Sequence, residues 1–439
     1  MHASSPRSAG ERDEVALLAR HARPLRGAVD LDPLLDRIGD ARVVMLGEAS
    51  HGTSEYYTWR AWLTRRLILE KGFSFIAVEG DWPACARVNR FVQHLDERDA
   101  DVADALHGFG RWPTWMWANW EVAALAAWLR RHNAERPTER RVGFYGLDVY
   151  SLWESLDAIQ RYLEIADPAA LPLAHDAFAC FEPYGQDPQA YARATAFVPD
   201  SCEDEVVALL REIREDAAGR ADDAEGRFDA EQNARVAVDA ERYYRSMIRG
   251  GAASWNVRDR HMMATLDDLL LHHGPHAKAI VWEHNTHIGD ARATDMAGAG
   301  MVNTGQLARD RYGRDDVVLV GFAGHHGDVI AGRSWGAEME RMPVPDAQPG
   351  SWEDLLHAAG PRDALLLTRE LADLSGLRRG HRAIGVVYDP QRERYGNYVP
   401  TDLVARYDAL LSLHATRALH PFHLPARAPG PPDTYPWGM

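Results

Sequence analysis

The sequence predicts an α/β protein with a mostly parallel central sheet flanked by helices and a large helical insert. Three observations carry this. Apolar, β-branched runs of strand length recur at 43–46, 73–78, 141–148, 277–282 and 317–322, and several end at glycine or at an ionisable residue. Between the first two lies one helical stretch, about Ser54 to Lys71, stopped by Gly72. A strand, a helix and a strand in that order read as a parallel crossover unit. Third, residues 151–275 lose the strand pattern and show long 3.6-residue periodicity.

In order, residues 1–12 read as frayed, and 13–38 carry a helical apolar pattern (Val15, Leu17, Leu18, Leu31, Leu34, Leu35, Ile38). Strand 43–46, helix 54–71 and strand 73–78 follow. Residues 82–133 read as helical and rich in tryptophan (Trp82, Trp112, Trp115, Trp117, Trp120, Trp128). Strand 141–148 closes a first α/β part, residues 1–150. The insert, 151–275, has its clearest helices from Ser201 to about Ala218, from Asp229 to Arg249 with a break at Gly250-Gly251, and over about 255–273. The second α/β part, 276–439, resumes with strand 277–282. A Gly- and Ala-rich stretch at 291–303 reads as a mobile loop. A helix over Gln306–Tyr312 leads to strand 317–322, and Ala364–Thr368 and Ala383–Tyr388 supply further strands. The Pro-rich tail from Pro421 has no periodicity.

The chain has 439 residues, 46% hydrophobic and 26% charged, which suits a soluble globular protein. With 65 acidic against 49 basic residues its net charge is −16, which argues against a nucleic-acid partner. No apolar run approaches the ~20 residues of a membrane span, and no leader is read at the N-terminus. Cys85, Cys180 and Cys202 match no zinc or redox spacing and read as reduced, packed thiols in a cytoplasmic protein.

The chemistry-bearing residues gather at strand ends. Glu48 and His51 follow the first strand, Glu79 the second, Asp148 the third, and His284 and His287 the fourth. In a parallel sheet these side chains line one edge, where α/β proteins bind ligands. Arg60, on the first crossover helix, and Arg260, on the last helix of the insert, are placed to face the same cleft. Such a set suits water activation: a neutral histidine takes a proton from water, a carboxylate orients it, and a cation or second histidine meets the developing oxyanion. Each piece has an ordinary alternative. Glu48 and His51 can cap a helix, Glu79 can serve a turn, and His284 and His287 can bond backbone. Asp148 weighs toward a structural role, and Arg258 with Asp259 toward a surface ion pair. The same histidines and glutamates are also ligand types for zinc or manganese. The sequence leaves open whether they meet an ion or a water, and the neighbouring arginines tilt the reading away from an ion. His325-His326, among glycines, reads as an exposed loop. Gly332-Arg333-Ser334-Trp335-Gly336 fits a G-x-S-x-G pattern, but a nucleophile elbow needs a buried strand directly before it and a helix directly after, and here only Val329–Ala331 precede while Pro343-Val344-Pro345 downstream disfavours a helix.

These residues resemble the erythromycin esterase family. Gly47-Glu48-Ala49-Ser50-His51-Gly52 is similar to its G-E-x-x-H-G signature. Val78-Glu79-Gly80-Asp81 and the stretch from Trp282 to His287 resemble its second and third motifs. The likeness extends through Trp115–Trp117 with Asn119–Glu121, Arg258–Arg260, Gly305–Leu307 and Gly385–Tyr388, nearly the whole chain. It implies an α/β fold with helical decoration and a metal-free, cofactor-free hydrolase that opens macrolide lactones or similar esters. His51 would be the general base. Glu48 and Glu79 would orient it or its water. His284, His287, Arg60 and Arg260 would line the cleft and stabilise the intermediate.

Overall fold

The structure is a computed structural model and describes residues 7–185, 187–197, 201–216, 224–247, 251–360 and 362–423. Its strands are β1 (Arg23–Pro24), β2 (Val43–Leu46), β3 (Phe75–Asp81), β4 (Gly143–Asp148), β5 (Ala279–Trp282), β6 (Val317–Gly332), β7 (Met339–Val344), β8 (Ala364–Leu367), β9 (Arg378–Arg382), β10 (Tyr398–Asp402) and β11 (Ala409–Thr416). Nine form one sheet in the order β1-β8-β11-β6-β2-β5-β3-β4, with β7 paired to β6; β9 and β10 form a separate ribbon. From β11 through β6, β2, β5 and β3 to β4 every pairing is parallel. The β1, β8 and β7 pairings are antiparallel.

The central strands are apolar on both faces because both are covered. Along β2, Val44 and Leu46 enter the core beneath helix Ser54–Lys71, while Val43 and Met45 enter the core on the opposite face. The same two-residue alternation splits Ile76/Val78 from Phe75/Ala77, and Ile280/Trp282 from Ala279/Val281. Helix Ser54–Lys71 ends, as the sequence predicts, with Gly72 in the left-handed region (φ 69°). A third core lies away from the sheet, built from Val149 to Met247 by helices Leu152–Ala166, Leu171–Phe181, Glu203–Asp216 and Ala224–Met247. Helix Ala252–His272, by contrast, packs on the sheet through Met262, Met263, Leu266, Leu269 and Leu270. Among the described residues no helix is long and apolar enough to cross a membrane.

Several expectations need correction. Residues 9–12 are not frayed, because Ser8 and Glu11 form a capping box on helix Ala9–His21; residues 1–6 lie outside the described residues. The insert helices expected to run to about Ala218 and to Arg249 are described as far as Asp216 and Met247, and residues 217, 218 and 248–250 lie outside the described residues. The helical stretch expected over 82–133 consists of Trp82–Gln93, Val102–Leu106 and Trp120–Ala134, with an irregular stretch around Pro113 that faces the cleft described below. Residues 291–303 hold a short 3-10 turn at Ala291–Ala293, and the Asn256 side chain bonds Gly300 and Val302. Ala383–Tyr388 is no strand. It crosses the sheet end and touches different partners in turn, Ile384 N–H on Ala49 and Tyr388 N–H on Gly332. The central strand in its place is β11, where Ser412 and His414 interrupt an otherwise apolar run. Of the tail, Pro421 to His423 are described and 424–439 lie outside the described residues.

The cysteines also differ from expectation. Cys180 and Cys202 form a disulfide, and only Cys85 is a free, buried thiol. The helices of the insert bring their Cα atoms to 5.8 Å across 22 residues of sequence, a proximity that sequence spacing does not reveal. Closing a loop of that length stabilises by about 3 kcal/mol in the chain-entropy account. Cys180→Ser with Cys202→Ser is therefore expected to lower the urea midpoint, and reductant should no longer shift the variant's unfolding curve. Equal midpoints for the variant and the oxidised parent would refute this.

Candidate active site

Four parallel strands, β2, β5, β3 and β4, lie side by side, and their carboxyl ends deliver the ionisable residues to one place. The turn after β2 packs too tightly for side chains at its glycines. A Cβ on Gly47 would strike the Asn285 amide, and one on Gly52 the Ile330 carbonyl. Glu48 sits at the bottom of this turn, 1% exposed. Its Oε1 accepts from His51 Nδ1 at 2.9 Å, and its Oε2 accepts from Arg60 Nη2 at 2.6 Å. With Nδ1–H given to Glu48, the neutral His51 ring carries its lone pair on Nε2. Burial disfavours a charged His51, yet the Glu48 hydrogen bond and the charges of Glu79 and Glu48 outweigh it and raise the pKa above 6.5.

Glu79, near the end of β3, accepts the His284 backbone N–H on Oε2 (2.8 Å) and Arg258 Nη2 on Oε1 (2.7 Å). Burial alone would raise its pKa, but the Arg258 guanidinium and the hydrogen bond from the His284 N–H hold it far below the usual carboxylate range. Asp148, at the end of β4, takes Arg258 Nε (2.9 Å) and Nη2 (2.6 Å) in a bidentate pair. Arg258 Nη1 lies 2.8 Å from His287 Nε2. A guanidinium only donates, so that nitrogen accepts, and His287 Nδ1–H donates to Asp259 at 2.9 Å. Trp255 stacks on the His287 ring at 4.5 Å.

His284 caps the short helix Asn285–Ile288. Its Nδ1 accepts from the Thr286 backbone N–H at 3.3 Å, which places the ring proton on Nε2. Nε2 is buried without a hydrogen-bond partner, and the ring lies 4.9 Å from that of His51. Burial and the neighbouring His51 keep His284 neutral, with its pKa well below 6.5. Beside it Glu283 is fully buried with neither carboxyl oxygen bonded. Burial and the Glu79 charge push its pKa well up.

A cleft opens above this network. His51, Glu79, Asp148 and Arg258 form its polar side with Asp81, Arg111 and Tyr150; Phe109, Met116, Trp117, Trp335 and Val386 form an apolar wall. Arg111 makes a bidentate pair with Asp81, and Tyr150 lies under the guanidiniums of Arg111 and Arg258.

The structure thus brings Glu48, His51, Glu79, His284 and His287 together. His51 and Glu79 face the cleft, and Glu48, His284 and His287 lie behind that surface. The arginines need correction. Arg60 is 0% exposed and stacks between Tyr57 and Trp282, so it braces Glu48 rather than lining the cleft. Arg260 is exposed on the outer face of its helix, and Arg258, expected in a surface pair, is the buried one. The apolar stripe of Met262, Met263, Leu266 and Leu270, extended back one turn, lands on Arg258 and Asp259, a signal present in the sequence. Asp148 does serve as a partner, to Arg258. Arg111 and Tyr150 were missed because no motif marks them. Ser334 is exposed where β6 turns toward β7, with no helix after it, so it forms no nucleophile elbow.

Three comparisons bear on this arrangement. The chain resembles a succinoglycan biosynthesis protein of solved structure (TM-score 0.77, 20% identity, 95% of this chain and 100% of that one). It also resembles a mutant erythromycin esterase solved in its open conformation (TM-score 0.63, 17% identity, 91% and 96%). At those identities the likeness concerns the fold. In sequence it is 29% identical over 153 residues to the erythromycin esterase type II of Escherichia coli, a stretch spanning 34% of each chain. The Erythromycin esterase family profile matches residues 68–416, most of the length, and the chain belongs to the erythromycin esterase family.

Proposed function

We propose that the protein hydrolyses a carboxylic ester, with the lactone of a macrolide as substrate, by general-base activation of water and without a metal in the cleft. The observation that carries this is the Glu48-bound His51, the one histidine among the cleft-lining residues, with Nε2 as its basic nitrogen. A water held by Nε2 attacks the ester carbonyl as His51 takes its proton. The tetrahedral oxyanion is met by Arg258, which lines the cleft beside His51. Collapse breaks the acyl C–O bond, and His51 returns the proton to the departing alkoxide, giving a hydroxy acid. The apolar wall suits a bulky substrate with few charges.

A metal-dependent hydrolase built on the same residues is disfavoured by Arg258. Its guanidinium already neutralises Glu79 and Asp148 and caps His287, where an ion would need free ligands. Incubation of the protein with a panel of macrolides, read by mass spectrometry, tests the proposal. The expected product gains one water, with and without chelator. No product, or product lost with chelator, counts against it. A cytoplasmic setting, also expected from the sequence, sits against the Cys180–Cys202 bond, and disulfide mapping on protein from cell extracts separates the two.

A further inference from the structure

His325 and His326 are not on an exposed loop. They lie in β6, with His325 only 8% exposed, and meet two further histidines: His414 on the neighbouring β11 and His357 on helix Trp352–Ala359. The His325 and His357 rings stack at 3.8 Å, and those of His357 and His414 at 5.0 Å. The His326 ring meets that of His414 edge-on at 5.0 Å.

Consecutive residues of a regular strand point to opposite faces. Here Nδ1 of His325 and Nδ1 of His326 converge to 2.9 Å, next to Gly327 with φ 147°. Nδ1 of His357 and Nδ1 of His414 lie 3.1 Å apart. Two nitrogens on one tetrahedral zinc, each about 2.05 Å from it, stand roughly 3.3 Å apart. The Asp346 carboxylate completes the group: one ligand atom each from His325, His326 and Asp346 fall within 4.8 Å of one another. Among the described residues no other trio of His, Cys, Asp or Glu does so, those of the cleft included.

The surroundings fix the ligands. Arg382 donates to the carbonyls of Gly324 (2.6 Å), His325 (2.8 Å) and Pro345 (2.9 Å), tying down the backbone on both sides of the set. The Asp346 side chain is 84% exposed, which leaves an entry path.

We propose that His325, His326 and Asp346, beside the His357–His414 pair, bind a divalent first-row transition-metal ion of the zinc or cobalt class. The site is separate from the cleft, and it stands whether or not the esterase reading holds. Its alternative is a pair of imidazole–imidazole hydrogen bonds with no affinity for ions.

The test uses the full chain, stripped with chelator and titrated with Co²⁺ and then Zn²⁺. About one Co²⁺ per chain should bind with visible ligand-field absorption, and Zn²⁺ should displace it. His326→Ala and Asp346→Asn should each weaken binding by at least about tenfold. His287→Ala should bind as the parent does. Asp346 is exposed, so its variant remains a fair test even if His326→Ala fails to fold. Absent stoichiometric binding, binding unchanged in Asp346→Asn, or binding lost in His287→Ala overturns the proposal.

Discussion

Replacing His51 with alanine is expected to lower kcat for ester opening by about 10²–10⁴-fold, the usual worth of a positioned general base. The fold should survive, because Glu48 keeps its bond from Arg60 and the loss is one hydrogen bond, about 1–3 kcal/mol. The pH profile makes the test specific. A base acts only when unprotonated, so kcat/KM of the parent should fall as pH drops through a midpoint above 6.5, the side to which Glu48 and Glu79 shift His51. Glu48→Gln removes a charge and leaves one acceptor oxygen for two donors, His51 Nδ1–H and Arg60 Nη2, so its midpoint should move down. Its plateau rate should fall as well, since the tautomer is no longer fixed. An unmoved midpoint, or a His51→Ala variant as fast as the parent, removes His51 from the role.

The same residues show what a sequence can disclose. The central strands were legible because a parallel sheet covered on both faces leaves continuous apolar runs, as in Val43–Leu46. The gathering of Glu48, Glu79 and His284 was legible too, since parallel strands put their carboxyl ends together. β11 was not, because Ser412 and His414 break its pattern. The second half of β6 was not, because glycines flank His325 and His326 as they would in a turn, and only the pairing with β11 up to Gly327 and with β7 from there to Gly332 shows that the strand continues. Which arginine enters the site depends on helix rotation. Two positions turn a helix by about 200°, which puts Arg258 inside and Arg260 outside. Motif spacing, blind to that phase, favoured the wrong one. The Cys180–Cys202 bond rests on how the insert's helices pack, which local sequence does not encode.

Arg258→Met is expected to have the largest effect on stability, and the reason lies in what the guanidinium neutralises. Glu79 and Asp148 are each 4% exposed, and both depend on it. Removing one partner of such a buried network leaves uncompensated charge, typically about 3–5 kcal/mol. The pH dependence identifies the cause. Glu79 and Asp148 have lowered pKa values in the folded parent, so they contribute stability that is fully present above their unfolded values near pH 4 and is lost as pH falls toward the folded ones. Without Arg258 their folded pKa values should rise, and protonation should relieve the buried charge. The stability gap between parent and variant should therefore be widest near neutral pH and close as the solution is acidified. Arg258→Met with Asp148→Asn should recover part of the loss at pH 7, since one unpaired charge is gone. Arg258→Lys should recover little, because a single ammonium cannot span Asp148, Glu79 and His287 at once. Arg260→Ala is the control. Being exposed, it should shift stability by less than about 0.5 kcal/mol and leave turnover unchanged. A gap between parent and Arg258→Met that stays constant from pH 7 to 5 would mean that the loss comes from packing, not from the carboxylates, and the electrostatic account of the cleft floor would fall with it.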